Sequence, residues 1–232
     1  MTGPPGGDLD EVVAARLAAV QQRIAAAGGS DVRVLPVTKT FPVEACWAAW
    51  RAGCAAVGEN YAQEAVGKLA DIDDRPFGVH FIGQLQSNKV RLLAPLVTVY
   101  ETVDRPSLVQ ELAKRSPGAR ILVQADTTGE PGKGGCPLAE VPALVERAIG
   151  AGLEVLGLMT VGPTEGGAEA ARPGFRAVRA LVDRLGLAWC SMGMTDDLEV
   201  AVQEGATQVR VGSALFGPRD DARRPYPGTS VR

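Results

Sequence analysis

The sequence predicts an α/β fold: a single (β/α)8 TIM barrel preceded by an extra N-terminal helix. Three observations carry that prediction: eight short apolar or β-branched runs, helical patterns between them, and a length of 232 residues. Strict alternation of strand and helix implies parallel strands, because a parallel pair needs a crossover connection. Barrels of this kind run to about 250 residues. Hydrophobic residues make up 46% of the chain and charged residues 22%, enough apolar material for one sizeable core. The whole of 1–232 is therefore expected to be one domain, with loose tails over 1–8 and from about 220 to 232. Periodicity alone does not separate a closed barrel from a doubly wound open sheet.

Taken in order, Leu9, Val13, Leu17, Val20 and Ile24 recur at helical spacing and the pattern stops at Gly28-Gly29, the mark of one amphipathic helix with a glycine stop. Strands are expected at Arg33–Val37, Ala55–Val57, Val79–Ile82, Thr98–Tyr100, Arg120–Gln124, Glu154–Leu158, Ala188–Cys190 and Thr207–Val211. The intervals read as helices over Pro42–Ala52, Tyr61–Leu69, Ser87–Leu93, Pro106–Lys114, Pro137–Ile149, Glu169–Leu185 and Thr195–Glu204. Several open on a Pro, Ser or Thr suited to a first turn and stop near a Gly. The sixth is the clearest, with Ala171, Phe175, Val178, Val182 and Leu185 on one face.

Composition excludes several function classes. A net charge of −3 and the lack of a long Lys/Arg run argue against a nucleic-acid partner, which needs a clustered basic footprint. Arg219, Arg223, Arg224 and Arg232 are interleaved with Pro225, Pro227 and Gly228 and read as a solvated tail. With no basic-then-apolar leader and no 18-residue apolar run, the expectation is a cytoplasmic protein without a membrane partner. Cys46, Cys54, Cys136 and Cys190 form no CxxC pair and His80 is the only histidine, so no metal site is expected and the thiols read as free and buried.

In a parallel barrel, chemistry sits at the C-terminal ends of the strands. Following the strands in turn are Lys39, Gly58-Glu59-Asn60, Gly83-Gln84, Glu101, Asp126, Met159-Thr160, Ser191-Met192-Gly193-Met194 and Gly212-Ser213. Lys39 lies between Thr38 and Thr40, just past the apolar Val34-Leu35-Pro36-Val37 stretch, so its amine would enter the barrel mouth, where partial burial favours the neutral form that imine formation needs. Position alone favours a solvated loop lysine. The turns after the last two strands, Ser191-Met-Gly-Met-Thr-Asp and Arg210-Val-Gly-Ser, are rich in N–H and hydroxyl donors where this fold frequently binds phosphate. Thr195, Asp196 and Asp197 are expected to open a helix that assists an anion, although ordinary turn chemistry explains either segment by itself. Gly129-Glu-Pro-Gly-Lys-Gly-Gly135 lacks the order of a phosphate-binding P-loop and reads as a flexible loop. His80 reads either as a satisfied core histidine or as a contact to a ligand ring, and a single histidine supports no Ser-His-acid arrangement that can be argued from the sequence.

Six segments occur in fixed order between about Val34 and Arg219: Val37-Thr-Lys-Thr, Gly58-Glu-Asn-Tyr-Ala-Gln-Glu, His80-Phe-Ile-Gly-Gln-Leu-Gln-Ser-Asn-Lys, Gly157-Leu-Met, Ser191-Met-Gly-Met-Thr-Asp-Asp and Arg210-Val-Gly-Ser-Ala-Leu-Phe-Gly. Together they resemble the YggS/PROSC family of pyridoxal phosphate homeostasis proteins. The resemblance implies a barrel like the alanine racemase N-terminal domain and pyridoxal 5′-phosphate as cofactor, carried as a Schiff base on Lys39. It implies phosphate contacts from Ser191, Gly212 and Ser213, and Arg210 facing the pyridine nitrogen. Asn60, His80, Met159, Met192, Gly193 and Met194 would then lie near the cofactor.

The implied function is a monomeric binding protein of vitamin B6 homeostasis that releases its cofactor to recipient apo-enzymes, with no catalytic residue established. The rivals are a pyridoxal phosphate-dependent amino acid racemase and a Schiff-base aldolase acting on a sugar phosphate. Racemisation needs a second acid–base group opposite the lysine, and of Tyr61, Tyr100 and Tyr226 only Tyr61 closely follows a strand end. Three positions depart from the family pattern: Phe41 replaces a polar residue, Gln84 a histidine and Asp126 an asparagine.

Overall fold

The apolar stripe of the first segment folds as α1 (Asp8–Ala26), which buries Val13, Leu17, Val20 and Ile24 and leaves Leu9 exposed. The fold is seen in a computed structural model that describes residues 7–218. Of the loose tail expected over 1–8, Asp8 is already helical. The rest of that tail up to residue 6, the tail from about 220 and the Arg219, Arg223, Arg224, Arg232 cluster lie outside the described residues.

Eight strands follow: β1 (Arg33–Pro36), β2 (Ala56–Glu59), β3 (Gly78–Phe81), β4 (Val99–Val103), β5 (Arg120–Asp126), β6 (Glu154–Met159), β7 (Trp189–Ser191) and β8 (Gln208–Val211). All pair in parallel with their sequence neighbours, and β1 pairs with β8 in the register Val34↔Val209. The ring closes where Val37, one residue past β1, bridges Gly58 of β2 and the Thr38 amide donates to the Gly58 carbonyl. The open-sheet alternative is thereby removed. A two-residue strand, Cys136–Pro137, adds to the end of β5.

The helices are α2 (Val43–Arg51), α3 (Ala62–Leu69), α4 (Val90–Leu93, after a 3-10 turn at Ser87–Lys89), α5 (Pro106–Arg115), α6 (Val141–Gly150), α7 (Arg172–Arg184), α8 (Leu198–Gln203) and α9 (Ser213–Phe216). Three begin later than the sequence pattern predicts. Pro137 belongs to the strand beside β5, so α6 starts at Val141. A one-turn helix over Gly167–Ala170 stops at Ala171, and Pro173, lacking an N–H, sits in the first turn of α7. Asp197 Oδ1 accepts the Met194 amide at 2.5 Å and shapes a turn over Thr195–Asp197, so α8 starts at Leu198 and not at Thr195.

The main core lies between strands and helices, where Phe81, Tyr100, Leu112, Phe175 and Leu198 are buried. Inside the barrel a smaller apolar cluster of Val99, Leu122 and Met159 shares the lumen with buried His80, Glu101, Gln124, Ser191, Gln208 and Arg210. β2 and β4 run further than predicted. Glu59 and Glu101, expected on the rim, are therefore strand residues with 0% exposure.

All four cysteines are free and buried. Burial pushes the Cys46 and Cys190 thiols up to about 12 and those of Cys54 and Cys136 up to about 11, so they stay protonated near neutral pH. Among the described residues no helix is long and apolar enough to cross a membrane, and no group of three His, Cys, Asp or Glu is placed to hold a metal.

Candidate cofactor-binding site

Parallel strands deliver their following loops to one end of the barrel, and there a cavity of about 370 Å³ opens. Lys39 enters it from the end of β1, Asn60 from β2, Met159 from β6 and Arg210 from β8. Gly212 and Ser213 line it from the turn into α9, and Met194, Thr195 and Asp196 from the turn after β7. Val37, Ile82 and Val161 supply apolar wall. Asn60 reaches this position because position 83 is glycine: a Cβ there would fall 1.9 Å from the Asn60 carbonyl oxygen.

The backbone on both sides of Lys39 is clamped from behind. Lys68 Nζ, on α3, donates to the Thr38 carbonyl at 2.8 Å and pairs with Glu59 at 2.8 Å and Glu64 at 3.0 Å. Thr38 Oγ1 donates to Glu59 at 2.6 Å, and the Thr40 amide donates to Glu64 at 2.6 Å. These bonds hold Thr40 at φ 67, a left-handed conformation that a β-branched residue adopts only under constraint. The second oxygen of Glu59 has no partner among the described residues, and burial holds this carboxyl above the usual range. Burial opposes the charge on Lys68, but Glu59 and Glu64 outweigh it and raise the ammonium above its ordinary value.

A second buried network runs down the lumen. Glu101 Oε1 accepts from His80 Nδ1 at 2.6 Å and Gln208 Nε2 at 2.7 Å, while its Oε2 accepts from Ser191 Oγ at 2.7 Å. Ser191 Oγ accepts in turn from Arg210 Nη1 at 2.9 Å, and Arg210 Nη2 donates to the Thr160 carbonyl at 2.7 Å. Burial favours the neutral acid at Glu101, yet the His80 hydrogen bond and the charges of His80 and Arg210 overcome it and lower its pKa. The carboxylate is thus ionised, and His80 Nδ1 carries the proton that faces it. Burial lowers the pKa of Arg210, but a guanidinium starts so high that it remains a cation near neutral pH. Held by two acceptors, Arg210 presents its guanidinium at the cavity floor.

The structure brings together Lys39, Asn60, Met159, Met194, Arg210, Gly212 and Ser213. It does not bring Ser191, His80, Met192 or Gly193 to the same cavity wall. The Ser191 side chain turns into the lumen, below the rim, where Glu101 and Arg210 engage its hydroxyl. His80 is a paired lumen histidine that lines a cavity at the other end. Met192 packs outward into the main core, and Gly193, at φ 91, lies so close to α8 that an added Cβ would meet that of Ala201 at 2.5 Å. Tyr61, half-buried ahead of α3, is absent from the cavity wall, Tyr100 is in the outer core, and Tyr226 lies outside the described residues.

Thr195, expected in the donor-rich turn and at a helix start, has its Oγ1 3.3 Å from Ser213 Oγ, so two hydroxyls meet on the rim. Sequence reasoning missed the roles of Glu59, Glu64 and Lys68, although Glu64 and Lys68 have the i, i+4 spacing of a helical ion pair. Of the three departures, Phe41 packs against Phe216 at 5.2 Å, and Gln84 lies near Gly134. Asp126 caps the glycine-rich loop, accepting the Thr128 and Gly129 amides at 2.9 Å each.

Residues 9–220 match the family model described as alanine racemase, N-terminal domain. A pyridoxal phosphate homeostasis protein of Pseudomonas aeruginosa is 41% identical over 216 residues, which cover 89% of this chain and 94% of the relative. The chain belongs to the pyridoxal phosphate homeostasis protein family. Another member, from Aquifex aeolicus, is 37% identical and aligns over 88% of this chain and 97% of its own length. The solved structure of PipY from Synechococcus elongatus with pyridoxal phosphate bound superposes with a TM-score of 0.77 at 28% identity, covering 88% of this chain and 100% of PipY. The chain thus aligns with these relatives over nearly their whole length.

Proposed function

We propose that the protein is a single-domain, monomeric pyridoxal 5′-phosphate carrier of cytoplasmic vitamin B6 homeostasis. It would hold the cofactor in the Lys39 cavity as a Schiff base and release it to recipient apo-enzymes. One observation carries this reading: a single cavity gathers an amine, a buried guanidinium and a hydroxyl pair beside a helix start. Those groups complement, in turn, an aldehyde, a pyridine nitrogen and a phosphate. The names of the family members and the ligand of PipY point the same way.

When bound, the cofactor supplies an electrophilic carbonyl carbon and an electron-accepting ring. The chain supplies the rest. Lys39 provides the nucleophilic amine, from a loop whose backbone the Glu59–Lys68–Glu64 clamp holds still. Gly212, Ser213 and Thr195 would hold the phosphate, because the Ser213 and Ala214 amides precede the first hydrogen bond of α9, from Leu215 to the Gly212 carbonyl. Ser191 acts one layer below, as the brace of Arg210. A permanent cation at Arg210 disfavours protonation of a pyridine nitrogen beside it, which weakens the ring as an electron sink.

That same arrangement disfavours racemase turnover. Besides Lys39 and Arg210, Asp196 is the one titratable side chain among the described lining residues, so a base opposite Lys39 is poorly supplied. Reduction of the yellow protein with borohydride and peptide mass spectrometry should place the pyridoxyl mass on Lys39. An adduct mainly on Lys68, Lys89, Lys114 or Lys133, or a colourless protein that takes up no cofactor, would overturn the reading. Incubation of the loaded protein with L-alanine in deuterated water should show negligible α-proton exchange; rapid exchange would favour the racemase.

A further inference from the structure

The opposite end of the barrel holds a second cavity, of about 310 Å³, between α1 and the N-terminal ends of β1, β2, β7 and β8. In α/β barrels this end ordinarily serves stability alone. Apolar side chains filling such a hollow would strengthen the fold, since unfilled volume costs packing energy. Here its inner wall is instead polar and aromatic. His80 and Gln208, 6% and 2% exposed, both line it, as does Trp189. Because His80 Nδ1 faces Glu101, Nε2 is the ring nitrogen left for another partner.

The mouth is cationic. The Arg33 guanidinium lies 3.6 Å from the Trp189 ring centroid, and the near-parallel His80 ring is 6.0 Å away on centroids. Arg33 has no ion pair among the described residues, whereas Arg120, 5.8 Å from the same indole, is paired with Glu154. No Asp or Glu lines the cavity; its remaining walls are mainly apolar, with Leu17, Leu35 and Ala56 prominent.

We propose that this cavity is a second ligand site, built for a small carboxylate whose apolar body packs against Leu17, Leu35 and Ala56 and whose charge pairs with Arg33. The sign follows from a lone unpaired cation and the absence of lining carboxylates. An apolar body follows from the Leu17, Leu35 and Ala56 walls. The size follows from a volume at the lower end for small-molecule pockets, about 300 Å³. The site shares no lining residue with the Lys39 cavity.

Benzoate is the probe. Titrated into the cofactor-saturated protein and followed by calorimetry, it should bind at one site with a Kd below about 1 mM. Magnetisation transfer from the benzoate ring should reach the Trp189 indole and Leu17 methyls. Neutral benzamide, and benzoate with the R33Q variant, should each bind at least about tenfold more weakly. Arg33 is exposed, so R33Q loses its stack on Trp189 but should stay folded at the titration temperature. No benzoate binding at about 10 mM, equal affinity for benzamide, or unchanged affinity in R33Q would overturn the proposal. So would competition between benzoate and pyridoxal phosphate, which would put the probe in the Lys39 cavity. If instead the Lys39 reading fails and no cofactor binds, the benzoate, benzamide and R33Q titrations still decide this one.

Discussion

Lys68 and Glu101 are both buried ionised groups beside the Lys39 cavity, yet their surroundings differ. Lys68 lies outside the barrel wall between two carboxylates, and its partners come from one stretch, Thr38 to Glu64. Glu101 lies inside the lumen as a lone carboxylate, shared among donors from β3, β7 and β8. The first cluster grips main chain: the Thr38 carbonyl and the Thr40 amide on either side of Lys39. The second grips a side chain, the Arg210 guanidinium, through Ser191. A reactive amine needs a fixed backbone and a side chain that can still move. A guanidinium that tunes a ring needs its own atoms fixed. The two networks match those separate needs.

The largest expected effect comes from breaking the clamp. Lys68→Met leaves Glu59 and Glu64 buried without their shared cation and should cost about 3–5 kcal/mol of stability in urea unfolding. A loss below about 1 kcal/mol would show the clamp to be as weak as a surface pair. Glu101→Gln should cost less, about 2–3 kcal/mol, because the amide keeps an acceptor for Gln208 or His80 while losing its charge. It should also lower cofactor affinity without moving the borohydride adduct from Lys39, since the backbone clamp is untouched. Relabelling on another lysine would erase the distinction between the two networks.

The smallest effect is the response to pH, which separates them by sign. The folded-state pKa of Glu101 is depressed. Its contribution is therefore present above the unfolded carboxylate value of about 4.3 and lost as pH falls through the lower folded value. The pKa of Lys68 is raised, so its contribution is present below about 10.4 and lost as pH rises through the higher folded value. Urea midpoints measured across the acid range should fall less steeply in Glu101→Gln than in the wild type. Equal acid slopes would mean that Glu101 titrates as it does unfolded.

Much of the architecture was legible because alternation and strand-end position are local signals. Lys39, Arg210, Gly212 and Ser213 fell at the cavity because each sits at a strand terminus whose direction follows from the parallel order. Closure was not legible: it rests on a bridge between Val37 and Gly58 that no periodicity encodes. Ser191 reads as a rim donor because a hydroxyl before a glycine turn looks like one, whereas its hydroxyl bonds Glu101 and Arg210 in the lumen. The residue that engages it, Glu101, is 90 positions away. His80 kept two readings for the same reason, since its partner belongs to the neighbouring strand. The clamp left a trace in the Glu64 and Lys68 spacing, but a surface ion pair has the same spacing, and only burial tells them apart.

The lumen network also constrains how this sequence can change. His80, Ser191, Gln208 and Arg210 are joined through one carboxylate, and Ser191 both donates to it and accepts from Arg210. Replacing any one member strands a buried donor or acceptor on another, so substitution energies there do not add. Tolerated exchanges come as compensated sets, in which a second replacement rescues the first. Over long divergence these five positions should drift as a block, while the outer faces of the helices drift one residue at a time.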